Sequence, residues 1–346
     1  MDVSKRQTAG LASLGSEEDG LGLDGVLLTG VAGLEPESVL AGPHDAGVRT
    51  IVEIADVRAT PGSGPDLVEQ AERWIEAGAS GVAMEFGLEP PVPRAKVQSL
   101  HGEPIGKDQT PESPVERLRH AMDAREAVFL GWRNTDEIGP APRGPHAVIE
   151  TALARRPWRA APLGDAVERV ISALPAGQWP AYAMGAPRRG PFAVGISMDD
   201  ALGCSAALHL TLRGTPCIEL DAETELPNND TRRPWYRRLI DLRRAEPALH
   251  RGTFRRIRQE KSVLGYLREY EAERLVVLLN LGRRARAAQL PTGFGWTVLL
   301  SNGAPEGHRF SGGEISLPGC GVLIARAGTP QSRTLGSSGQ RRATGP

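Results

Sequence analysis

The 346-residue chain has only three cysteines, Cys204, Cys217 and Cys320. They are too few and too scattered for a disulfide framework or a zinc knuckle. Charge of one sign is also lacking: Lys+Arg 41 stand against Asp+Glu 42, a net charge of -1. That balance excludes a nucleic-acid partner held by bulk charge. There is no run of about 18 uncharged apolar residues, so no membrane-spanning helix is expected. The opening MDVSKRQTAGLASLGSEEDG has no apolar core of a secretory signal, and the expected location is the cytoplasm. Seven histidines show no close metal-ligand spacing, so neither metal nor cofactor is expected. Gly 41 and Pro 28 make about a fifth of the chain, short of the composition of a disordered protein.

What is present is a folded pattern between two polar tails, 1–20 and 328–346. Short apolar runs at 21–30, 48–57, 80–87 and 126–132 read as strands covered on both faces. Helical patterns separate them. One carries Val39, Leu40 and His44. Another starts at Asp66, carries an apolar stripe of Leu67, Val68, Ala71, Trp74 and Ile75, and stops at Gly78. A third is expected near 115–125, after a Pro- and Gly-rich loop at 88–115. Further helices are expected at 148–156, 165–174, 198–212 and 234–245, with a strand in RGTPCIEL between the last two. Strand alternating with helix predicts a mainly parallel sheet with right-handed crossovers. After residue 250 the period changes to two, in SVLGYLREY, RLVVLLNLG, GWTVLLSN, EISLPG and GVLIAR. That pattern predicts a small antiparallel β domain.

The order and wording of these segments resemble the α-amylase superfamily, and within it the bacterial α-glucosidases and oligo-1,6-glucosidases. LGLDGVLLTG resembles the family's second barrel strand, HDAGVRTIVEI the third, WIEAGASGVAMEFG the fourth and REAVFLGW the fifth. LPAGQWPAYAMG resembles the approach to the seventh, and ALHLTLRGTP the lead-in to the eighth. YRRLIDLRRAEPALHRGTF, followed by strands, resembles the last helix and the C-terminal domain. The resemblance covers roughly residues 20–326. It implies an α/β fold: a (β/α)8 TIM-like barrel over 21–250, then a β-sandwich over 251–327. The first strand and the family's inserted domain are missing from the pattern, so the barrel is expected to be incomplete. Its open edge is a place for a protein partner.

The chemistry the family uses is altered where it should stand. Retaining hydrolysis needs a carboxylate nucleophile and an acid on opposite sides of the glycosidic bond. The nucleophile segment Gly-Phe-Arg-x-Asp reads Gly81-Val82-Ala83-Met84-Glu85, the acid/base position is Trp132, and the strand-seven motif reads Gly185-Ala186-Pro187-Arg188. The strand-three motif runs from Glu53 through Asp56 to Arg58, where the family has a histidine. The resemblance therefore implies a glycoside-hydrolase-like protein without confident catalytic residues. Glu85 holds the nucleophile position, and Arg58, Trp132 and Arg188 are candidates to bind an α-glucan or oligosaccharide. Plainer roles stand beside these: an ion pair of Glu85 with Arg58 or Arg188, packing for Trp132, and a solvated acidic edge rather than a cation site at Glu219, Asp221, Glu223 and Glu225. Three functions compete. One is a catalytically silent binding or interaction scaffold. Another is a residual α-glucosidase using Glu85 with Glu53 or Asp56. The third is a degenerate product that folds marginally.

Overall fold

The computed structural model describes residues 25–28, 31, 34–45, 47–54, 66–86, 113–133, 144–151, 153, 156–174, 179–183, 198–217, 232–259 and 262–330. Seven strands form one parallel sheet in chain order: β1 (Gly25–Leu28), β2 (Arg49–Glu53), β3 (Gly81–Phe86), β4 (Val128–Arg133), β5 (Ala147–Glu150), β6 (Trp179–Ala183) and β7 (Thr215–Cys217). The sheet curls into an incomplete barrel. Among the described residues β1 and β7 are its two edges. Helices α1 (Pro36–Asp45), α2 (Leu67–Glu76), α3 (Pro114–Asp123), α4 (Ala160–Ala173), α5 (Met198–Thr211), α6 (Arg232–Ala245) and α7 (Pro247–His250) complete this part.

Local chemistry sets the helix ends. Asp66 caps α2 by accepting from the Val68 N–H at 3.2 Å. Gly78 sits just past that helix at φ 105°, and a Cβ there would fall 2.3 Å from the His44 ring. That closeness is used, because His44 Nε2 donates to the Gly78 carbonyl at 2.9 Å and ties α1 to the α2 turn. Helix α3 opens with a full capping box between Ser113 and Glu116, and Pro114 occupies its first turn.

Alternation along the strands divides the sheet into two faces. Val52, Ile54, Val82, Met84 and Phe129 pack outward against Leu40, Leu67, Trp74, Leu118 and Met122 of α1–α3. Leu27, Leu130, Trp132, Ile149, Ala181, Ala183 and Cys217 pack together on the concave side.

One expected element is different in kind. Residues 148–156 read as helical, but Ala147–Glu150 is strand β5, with all four residues buried. It pairs in parallel with β4 and β6. A four-residue apolar run has no period that separates strand from helix. The β-branched Val148 and Ile149 and the preceding Pro145 favour the extended form. This strand fills the place between the fifth and seventh strands of the resemblance.

The second part has a six-stranded antiparallel sheet, ordered β13-β12-β15-β10-β9-β8, and a two-stranded sheet, β11-β14. In chain order these are β8 (Thr253–Ile257), β9 (Val263–Tyr270), β10 (Glu273–Asn280), β11 (Arg286–Leu290), β12 (Phe294–Ser301), β13 (Arg309–Phe310), β14 (Gly313–Leu317) and β15 (Val322–Pro330). Strand β10 is buried on both faces. Val276 and Leu278 face Trp296, Leu290 and Leu317 inside the β part. Val277 and Leu279 face Leu163, Val167, Leu208 and Leu239 of the barrel helices. That double burial explains why RLVVLLNLG is a continuous apolar run rather than an alternating one.

Candidate functional site

Parallel barrels present their chemistry at the C-terminal ends of the strands. Here those ends carry Glu53, Glu85, Trp132, Glu150, Ala183 and Cys217. Backbone register sorts them by face. Glu85 pairs with Trp132, Trp132 with Ile149, and Ile149 with Ala181. Residues in register on parallel strands point to the same side, and the last three belong to the concave cluster. Glu85 is therefore the partly exposed acidic end of an otherwise apolar row. Glu53 is in register with Ala83, two residues before Glu85. It shares the concave face one layer deeper, roughly 8 Å from Glu85 between Cα atoms by ordinary strand spacing and rise.

Trp132 is 2% exposed, and its indole Nε1 has no hydrogen-bond partner among the described residues. It lies buried in the floor of the apolar row, which leaves almost no ring surface for stacking. Glu150 is fully buried, but in register with Tyr182, which packs against α4 and α5. Its carboxylate thus belongs to the helix side of the sheet. The sequence offered only one sign of it, a lone acid ending a short apolar run.

Other titratable groups near the strand ends are held out of acid–base work. His209 on α5 is buried between the Ser205 and Ala183 carbonyls, at 3.0 Å and 3.1 Å. Burial, outweighing those contacts, holds its pKa down to about 4. The neutral ring therefore links α5 to the end of β6. Burial pushes the Cys217 thiol up to about 12, which removes it as a nucleophile at neutral pH. Cys204 is likewise a core thiol, with Sγ near the Asn280 and Gly321 carbonyls.

The candidate residues divide sharply. Glu85 and Trp132 are brought side by side, and Glu53 lies below them. Arg58, Asp56, Arg188 and the acidic run from Glu219 to Glu225 lie outside the described residues. So does any ion pair of Glu85 with either arginine. Among the described residues no cluster of three His, Cys, Asp or Glu side chains could hold a metal. No described helix is long and apolar enough to cross a membrane.

No family model matches the chain. A probable alpha-glucosidase of Rhizobium meliloti (strain 1021) is 32% identical over 96 residues, 26% of this chain and 16% of that protein's length. The aligned stretch is thus a small part of the relative. Solved structures give a wider match in shape. The alpha-amylase from H. orenii superposes with a TM-score of 0.64 at 13% identity, covering 93% of this chain and 94% of that one. A trehalulose synthase in complex with Tris gives 0.62 at 13% identity, over 84% and 86%. AmyP in complex with maltose gives 0.60 at 12% identity, over 86% and 78%. At such identities the likeness shows the fold: an incomplete (β/α)8 barrel followed by a β domain.

Proposed function

We propose that the chain is an α-amylase-superfamily protein that binds an α-glucan or oligosaccharide at its concave barrel face without cleaving it. One observation carries this reading: the residue in register with Glu85 on the next strand is Trp132. Cleavage with retention needs two carboxyl groups about 5 Å apart. Neighbouring strands run about 4.8 Å apart, so the β4 position beside Glu85 is where a partner acid would stand. An indole N–H cannot protonate a leaving oxygen. The partly exposed Glu85 can accept from sugar hydroxyls. The maltose complex of a protein with the same fold supports the ligand class.

A second reading rests on Glu53. It shares the face of Glu85, with Cα atoms roughly 8 Å apart, and is the second carboxylate that hydrolysis with Glu85 would use. Two measurements decide between them. Titration with maltose or isomaltose, followed by tryptophan fluorescence, is expected to give a saturable change. Silence in that titration removes the sugar-binding proposal and leaves a scaffold for protein partners at the β1 or β7 edge. An aryl α-glucoside assay is expected to show no turnover above background. Turnover that is lost in both Glu85→Gln and Glu53→Gln would replace the first reading with the second.

The proposed units are a barrel over 21–250 and a β domain over 251–327, flanked by segments 1–20 and 328–346, with β15 running past the second boundary to Pro330. The proposed location is the cytoplasm, which suits three cysteines that are all free thiols.

A further inference from the structure

Helix α7 is a single turn between the last barrel helix and the first strand of the β domain. Its carbonyl end faces cations. Arg268 on β9 donates to Ala248 O at 3.1 Å, Leu249 O at 3.1 Å and Gly252 O at 2.9 Å. Arg243 on α6 donates to the same Leu249 carbonyl at 3.1 Å.

Three side chains converge at its amide end. Glu273 on β10 accepts from the Ala248 N–H at 2.7 Å. Glu246, the residue before the helix, makes no side-chain cap. It turns to Arg326 on β15, whose Nε donates to Oε2 at 3.2 Å and whose Nη2 donates to Oε1. Leu275 is in register with Arg326, and Glu273 stands two residues before Leu275. All three therefore lie on one face of the sheet. Leu275 packs with Ala248 and Leu249, so that face is the one against α7. The two carboxyl groups are also hydrogen-bonded to each other. Carboxylates only accept, so such a bond needs a proton on one of the pair.

Charge gives the same count. Two ionised carboxylates against the Arg326 guanidinium leave one excess negative charge, and one retained proton makes the trio neutral. The Glu246 side chain is only 4% exposed, where an uncompensated charge is costly. The neighbouring charges are directed elsewhere. Arg243 and Arg268 serve the carbonyl end, and Arg274 Nε donates to Glu269 at 2.5 Å. Tyr270 packs beside α7 through its apolar body. His250 and Arg251 stand at the carbonyl end of the turn.

We propose that Glu246 and Glu273 share one proton and, with Arg326, form a latch that clamps α7 to β10 and β15 in mild acid and loosens as the proton leaves. Burial and the Glu273 carboxyl push Glu246 up to about 7 from an ordinary 4.5. The closed latch thus holds a proton that an open one releases. Its strength falls as pH rises from 4.5 to about 7 and is level above that. His250 works in the opposite sense: burial first, then Arg243, Arg251 and Arg268, hold its pKa down.

The test uses the full chain. Amide hydrogen exchange at Ala248 and Leu249, corrected for the intrinsic rate, is followed from pH 5 to 8. Protection is expected to fall by up to about tenfold per pH unit until about pH 7, then level off. Glu246→Gln and Glu273→Gln each leave the trio neutral without a shared proton, and an amide can still donate to the remaining carboxylate. Each is expected to lose that fall and retain only the opposing response of His250; if one does not fold, the other decides. In spectra of the chain with carboxyl-labelled glutamate, the two resonances that vanish in these variants are expected to move together, with one midpoint near 7. Protection that does not fall in the parent, a fall that survives both variants, or two resonances with separate midpoints in the ordinary carboxylate range overturns the proposal.

Discussion

Two buried titratable side chains give the chain opposing pH responses. Glu246 is 3% exposed and binds Arg326, whose Nε donates at 3.2 Å. Burial and the neighbouring Glu273 carboxyl push its pKa up to about 7. The folded chain therefore keeps a proton that the unfolded chain releases above the usual carboxylate range. This contribution is fully present at acid pH and fades as pH rises toward 7. His209 acts the other way. Its folded pKa lies near 4, below the unfolded 6.5, so its contribution is present above 6.5 and lost as pH falls toward 4. Between about 4.5 and 6.5 the two slopes partly cancel. Glu246→Gln should remove the first, so that Tm falls more steeply on acidification than in the parent. Unchanged slopes in Tm measured from pH 4.5 to 8 would contradict this assignment. Glu246 and His209 carry no signature in the sequence, because both depend on neighbours distant along the chain.

The elements differ in how far their sequence announces them. Helices α2 and α3 are legible because their caps are local: Asp66 before Leu67, and Ser113 with Glu116 around Pro114. Ser113→Ala should cost about 1 kcal/mol, read as a lower midpoint in urea with unchanged slope. Strand β5 was not legible. Four apolar residues carry no period, and only pairing with β4 and β6 makes them a strand. Arg243, one of six arginines between Arg232 and Arg244, is buried among carbonyls. A guanidinium can be drawn inward by helix-end carbonyls that no linear pattern reveals. Glu85 and Trp132 carry no local sign of being neighbours; the parallel register of β3 and β4 brings them side by side.

Taken whole, the molecule is held by a core that ignores the line between barrel and β part. Tyr182, Leu208 and Leu239 from one side share a cluster with Tyr266, Val277 and Ile324 from the other. Heat or urea should therefore unfold both together, with fluorescence and circular dichroism giving one coincident transition. Separate transitions would show that the cluster does not couple them. Leu278→Ala, which empties volume on the inner face of β10, should lower the stability by about 3 kcal/mol. Architecture was legible from the order of strands and helices. The mouth was less so: Arg58, Arg188 and Glu219–Glu225 lie outside the described residues.

The position of β10 also bears on how the backbone breathes. Its amides pair with β9 on one side and β15 on the other, while its side chains fill two separate interiors. Opening it requires both interiors to part at once, so local fluctuations cannot reach it. In deuterated solvent the Val276–Leu279 amides should exchange last, at the rate of complete unfolding, long after those of β1 have been replaced.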